Sequence, residues 1–121
     1  MTRATLGLKG EQAAERYLRQ RGYKILDRRW KCRLGELDLV AEKGDEVVFV
    51  EVKTRSSDAF GGALAAVGWT KERRLRAAAY SYLNAKGLQF RPFRIDVIAL
   101  TVVSPGRARL EHLIGAVGES G

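Results

Sequence analysis

From Gly35 to Lys53 the chain alternates with a period of two. Leu37, Leu39 and Ala41 alternate with Glu36, Asp38 and Val40, and Val48, Val50 and Val52 alternate with Phe49, Glu51 and Lys53. That period, with its branched and aliphatic residues, predicts two β-strands. Gly44-Asp45 between them is the composition of a two-residue hairpin turn, with Gly supplying the positive φ. In that register Asp38 faces Glu51 and Glu36 faces Lys53. A turn centred on Lys43-Gly44 keeps both acids on one face but sets them diagonally. A three-residue loop turns Asp38 to the opposite face, so the placement depends on loop length.

Elsewhere the period lengthens to that of a helix. Residues from Gly7 to Arg21 place Leu6, Ala13, Ala14, Tyr17 and Leu18 along one side, and Gly22 closes the segment. Glu11 borders that apolar side, whereas Glu15 falls farther round. Tyr23 to Lys31 predicts the opening strand. Thr54 to Gly68 keeps neither period and reads as a long connection. Thr70 can cap a second helix that runs to Lys86 and ends at Gly87, with Leu75, Ala78, Ala79 and Tyr82 facing inward. Phe93 to Val103 is a further strand, with Arg94 and Asp96 on one face. Ser104-Pro105-Gly106 is a turn, Ala108 to Ile114 adds an edge strand, and the tail from Gly115 is expected to be loose. A chain of 121 residues suits one domain, here residues 1–121. The expected architecture is α/β: an N-terminal helix, three antiparallel strands, a crossover helix and one or two more strands in a mixed sheet.

Two carboxylates opposed at roughly 5 Å between Cβ atoms repel each other across a strand pair. A positive group belongs between them, and a hard divalent ion with water completing its shell fits that need. Lys53 adds a fixed charge beside the pair. The plainer alternative is an amphipathic hairpin with a polar outer face. Phe49 among the charges argues instead for the floor of a cleft.

Charge adds a second layer. The formal net charge is +8, but its distribution is uneven. Residues 35–52 hold six acids and one lysine, while ten Lys/Arg precede them and nine more fall between Lys53 and Arg94. Basic flanks around an acidic centre suit a polyanion presented to a metal. Arg28, Arg29 and Lys31 around Trp30, then Arg55, then Lys71, Arg73 and Arg74 at the start of the second helix are the candidate phosphate contacts. Cations at a helix N-terminus oppose its dipole, and a bound phosphate reverses that cost. The lone Cys32 excludes an internal disulfide, and with no membrane span or signal peptide in view a soluble, cytoplasmic protein is expected. Cys32 as a nucleophile has only the distant His112 to activate it.

The ordered set Gly10-Glu11, Gly22-Tyr23, Gly35-Glu36-Leu37-Asp38-Leu39, Phe49-Val50-Glu51-Val52-Lys53 and Arg94-Ile95-Asp96-Val97 resembles the YraN family of predicted endonucleases across nearly the whole chain. Asp38 with Glu51-Val52-Lys53 resembles the core of the PD-(D/E)xK nucleases, with Leu37 where some members carry Pro. Glu11 matches the helix carboxylate of the similar archaeal Holliday-junction resolvases. The resemblance implies a restriction-endonuclease-like fold and an Mg²⁺-dependent (or Mn²⁺-dependent) DNA endonuclease, with branched or flapped DNA among its substrates and RNA left open. It also implies Asp38, Glu51, the Val52 carbonyl and Glu11 as metal ligands, Lys53 in catalysis and Glu36 as an outer acid. Two other readings stay open: a non-catalytic nucleic-acid-binding adaptor that kept the fold, and a protein-interaction module, homodimeric through a sheet edge.

Overall fold

The computed structural model describes residues 3–55 and 69–117. The chain runs α1 (Arg3–Gln20), β1 (Lys24–Cys32), β2 (Gly35–Lys43), β3 (Glu46–Arg55), α2 (Trp69–Ala85), β4 (Phe93–Ser104) and β5 (Arg107–Val117). The five strands form one sheet in sequence order. Neighbours are antiparallel except β3 and β4, which are parallel, as a helical crossover through α2 requires. This is the mixed-sheet, restriction-endonuclease-like α/β core expected, with an N-terminal and a crossover helix.

The two helices cover opposite faces. Ala14 and Leu18 of α1 pack on Leu39, Ala41, Val48, Val50 and Ile98, while Leu75, Ala78, Ala79 and Tyr82 of α2 pack on Leu37, Val40, Val47, Phe49 and Ile95. Every second residue of β3 therefore meets a different helix, which is why both of its faces are apolar in the middle. Trp30 and Cys32 pack against the α2 cluster, and Trp30 meets the Tyr82 ring edge-on at 5.2 Å. In this setting Trp30 and Cys32 are packing residues.

The hairpin turn is as its residues predict. Gly44 has φ 61°, and the pairs run from Lys43↔Glu46 to Leu39↔Val50. They end there. Beyond that point β2 pairs only with β1, Glu36 with Lys31 and Leu37 with Trp30, so neither the expected ladder pair of Asp38 with Glu51 nor that of Glu36 with Lys53 forms.

Several bounds differ from the sequence expectation. α1 starts earlier, at Arg3, and α2 at Trp69. β3 continues through Thr54 and Arg55, because parallel pairing with Leu100 and Thr101 of β4 extends it. β5 continues through Gly115 to Val117, where Val117 pairs with Ile95 and is buried; the loose tail therefore cannot begin at Gly115. The rest of that tail, residues 118–121, and the connection over residues 56–68 lie outside the described residues.

One buried polar cluster ties the sheet to α1. Asp96 is fully buried and accepts from Arg94 Nε at 3.0 Å and Gly115 N at 2.9 Å, with His112 Nε2 at 2.8 Å. His112 Nδ1 lies 3.0 Å from the Tyr17 hydroxyl, and Arg94 also donates to the Tyr23 hydroxyl and pairs with Glu46. A buried charge with its acceptor sites filled is structural. Arg94 and Asp96 stabilise the sheet, and His112 joins them as their anchor on β5.

Candidate functional site

Where β2 leaves β3, a side chain replaces the missing backbone partner. Asp38 Oδ2 accepts from Val52 N at 2.8 Å, which fixes the carboxylate against the β3 backbone. The alternation of β2 slips at this point: Leu37 joins the α2 cluster with Val40, although Leu39 between them joins the α1 cluster. Opposite, Arg29 of β1 has φ 51°, a left-handed conformation that a non-Gly residue adopts at a cost. Arg28 and Arg29 consequently both reach α1.

Asp38 and Glu51 line one hollow of about 200 Å³ together with Gly35, Glu36, Lys71, Arg74 and Leu75. Burial, then the neighbouring charge of Glu51, pushes the Asp38 carboxyl up to about 7, even though the Val52 N–H favours its charged form. Glu51 is itself buried, with a side chain 3 % exposed, and two ammonium groups share its Oε1: Lys71 at 2.8 Å and Lys53 at 3.4 Å. Burial and the contact with Lys71 lower the Lys53 pKa. Lys71 also loses solvent, but its bond to Glu51 outweighs that loss and raises its pKa. A positive group does stand in the hollow of the two acids: Lys71, a residue of α2 paired with Glu51.

Glu11 borders the same region from α1. It lines a second hollow with Val52, Lys53, Thr54 and Arg55, and its charge contributes to the upward shift of Asp38. It reaches this position because α1 passes close over β3 at Gly10: a Cβ there would lie 2.0 Å from Thr54 Oγ1. Its carboxylate is held by Arg29 Nε at 2.9 Å. Glu15 instead takes Arg28 and Arg19, and the Arg28 bond draws its pKa down to about 2. Of the two helix acids, Glu11 is the one that borders the site.

The expected metal ligands are therefore close but not convergent. Among the described residues no group of three or more His, Cys, Asp or Glu side chains is arranged to hold an ion, since Glu11 is turned to Arg29. The donors that do meet, Asp38 and Glu51, are hard oxygens short of positive charge, which fits a divalent ion that keeps several waters. Glu36 is exposed at the rim beside them.

The candidate phosphate contacts divide. Arg74 is exposed and lines the acidic hollow, Arg55 is exposed and lines the hollow of Glu11, and Lys31 is exposed on β1. Arg73, also exposed, is on the first turns of α2. Arg28 and Arg29 are engaged by Glu15 and Glu11, and Lys71 by Glu51. Sequence alone missed the Lys71–Glu51 contact; the signal for it was a lysine in the first turn of a helix, where the dipole disfavours a cation without an acid partner.

A family model described as "Uncharacterised protein family UPF0102" matches residues 10–100, a span that contains Glu11, Asp38, Glu51, Lys53 and Lys71. A UPF0102 protein of Chloroflexus aurantiacus is 50% identical over 115 residues, covering 94% of this chain and 93% of its own length. UPF0102 proteins of Myxococcus xanthus (47% identical over 115 residues, 94% of this chain and 90% of its own) and Geobacter sulfurreducens (44% over 111 residues, 92% and 87%) are similar over comparable spans. No helix among the described residues is long and apolar enough to cross a membrane.

Proposed function

The chain belongs to the UPF0102 family, the YraN family of the sequence resemblance, and on that premise we propose that it is a metal-dependent endonuclease hydrolysing DNA phosphodiester bonds. Branched or flapped DNA is the substrate class to try first. The observation that carries the reading is the meeting of Asp38 and Glu51 in one hollow, with Lys53 3.4 Å from the Glu51 carboxylate and the Asp38 carboxyl pushed up to about 7 by burial and by Glu51.

Bound Mg²⁺ would supply a water of lowered pKa and neutralise charge at the phosphate. Asp38 and Glu51 would hold it, with the Val52 N–H fixing the rotamer of Asp38 and leaving the other carboxylate oxygen for the ion. The Val52 carbonyl is the third ligand implied by the family, and Glu11 contributes through water or on release from Arg29. Lys53 stabilises charge that develops on the phosphate in the transition state. Leu75, buried in the wall of the hollow, excludes bulk water from one side of it, which strengthens each of these interactions.

The alternative, a nucleic-acid-binding adaptor without catalysis, draws on a specific contact: Lys71 pairs with Glu51 at 2.8 Å and balances its charge from within the chain. Incubating the protein with duplex, single-stranded, flap and four-way DNA in Mg²⁺, Mn²⁺ or chelator separates the two. Metal-dependent cleavage that disappears in Asp38→Asn and Glu51→Gln, and falls by about 10²–10³ in Lys53→Ala, is the expected result. Full cleavage by Asp38→Asn would sink the site, and DNA binding with no cleavage of any substrate would favour the adaptor.

A further inference from the structure

Lys71 reaches Glu51 from another element. Its Nζ is 2.8 Å from Glu51 Oε1, nearer than Lys53 at 3.4 Å, and its side chain is 42% exposed against 22% for Lys53. Lys53 is fixed two residues along the same strand as Glu51. Lys71 stands at the mouth of the hollow, on the first turn of α2, next to the exposed Arg74 that lines the same space. One carboxylate oxygen is thus shared by two cations, the less exposed Lys53 on its own strand and the more exposed Lys71 on a helix that lines the hollow. A cation on the first turn of a helix is also disfavoured by the dipole and depends on an anion to offset that cost.

We propose that Lys71 is a second catalytic lysine that works by exchange: it occupies Glu51 in the free protein, yields that carboxylate to the divalent ion, and moves onto a non-bridging oxygen of the scissile phosphate. This rests on the metal-dependent reading above. No covalent bond changes in the exchange. The Lys71–Glu51 ion pair opens, Glu51 takes the incoming cation, and the ammonium keeps its proton and takes the phosphate anion, so each charge is matched before and after. Two consequences follow from the geometry. Metal alone has to displace an ammonium and therefore binds weakly. Metal and phosphate together favour each other, because each provides what the other displaces, and such coupling is reciprocal.

The test uses metal alone as its probe. Mg²⁺ and Mn²⁺ are titrated by calorimetry and by thermal shift into the wild type, Lys71→Gln, Lys71→Met and Lys71→Arg, without nucleic acid. Lys71→Gln keeps a hydrogen bond to Glu51 and serves where Lys71→Met folds poorly. The neutral variants are expected to bind metal about tenfold more tightly than wild type and to gain a larger thermal shift on metal addition, while Lys71→Arg stays near wild type. Single-turnover cleavage at saturating metal should fall by about 10²-fold or more in the neutral variants. Unchanged or weaker metal affinity in a folded neutral variant overturns the exchange, and undiminished cleavage overturns the catalytic role. Metal binding by neither the wild type nor the neutral variants, with their folds intact, overturns the metal-dependent reading itself, and the exchange with it. Failure in the Lys71 variants alone leaves that reading standing.

Discussion

Glu11 and Glu15 lie one helical turn apart on α1, and each is taken by an arginine of β1. Arg28 binds Glu15 through two nitrogens, at 2.6 and 2.7 Å, and holds its pKa near 2, below the ordinary 4.5. A carboxylate whose folded pKa is depressed stabilises the fold at pH values above its unfolded pKa, and that contribution fades as pH falls through the folded value. Glu15→Gln should therefore cost about 0.5–1 kcal/mol at pH 7, the range of an exposed pair, and the difference from wild type should shrink between pH 4.5 and pH 2. Urea unfolding at pH 7 and pH 3 checks this; a difference that is constant or grows toward pH 3 contradicts it. Glu11 carries a different expectation, because its charge acts on Asp38. Glu11→Gln should slow metal-dependent cleavage by about tenfold or more while leaving the α1 fold intact by circular dichroism. Cleavage at the wild-type rate would confine Glu11 to its ion pair with Arg29.

At the scale of elements, the close passage of α1 over β3 decides where Glu11 stands. Gly10 is buried, and a Cβ on it would meet Thr54 Oγ1 at 2.0 Å and Thr54 Cβ at 3.2 Å. Gly10→Ala should destabilise by about 1–3 kcal/mol, the usual cost of overpacking. Thr54→Gly in the same chain should recover much of that loss by removing both atoms, although Thr54→Gly alone weakens β3. The coupling is measured by a double-mutant cycle in urea, and additive losses would show that the two elements do not press on each other there. This passage was only half legible in the sequence. Periodicity located both helices and all five strands, and the Gly44-Asp45 turn set the register from Lys43↔Glu46 to Leu39↔Val50. Strict alternation also implied a continuation to Glu36 and Lys53. It fails because Asp38 takes the Val52 N–H with its side chain and Arg29 reverses its backbone opposite. Such departures depend on what three strands do together, so no single stretch announces them. Lys71 was hidden for a related reason: its partner Glu51 belongs to a different element, and only packing of α2 on the sheet joins them.

Across the whole molecule, the acidic segment of the sequence divides into two ends. Glu42 pairs with Arg91 at 2.7 Å and Glu46 with Arg94, near the hairpin turn, while Asp38 and Glu51 remain at the other end, a distance of roughly 15 Å along the strands. Asp38, Glu51 and Glu36 therefore place their negative charge at the hollow that also holds Lys71 and Arg74, while Glu42 and Glu46 are matched by arginines within the fold. The basic residues divide likewise. Arg74 is exposed beside the hollow, whereas Arg28 already holds a carboxylate at both ends of its fork. A phosphate gains a full contact from the first but has to displace Glu15 to use the second. Arg74→Ala should thus lower the slope of log K against log salt for duplex DNA by about 0.9, the value of one phosphate contact, with a similar loss on every sequence. Arg28→Ala should change the slope by much less. Glu15→Gln, by releasing Arg28, should tighten binding and steepen the slope toward one further contact. Binding in chelator, followed by fluorescence anisotropy over a salt series, measures all three without cleavage. If Arg28→Ala flattens the slope as much as Arg74→Ala does, the DNA path crosses the α1 side of the sheet and the Glu15 pair opens on binding. If none of the three changes it, the contacts lie elsewhere on the surface.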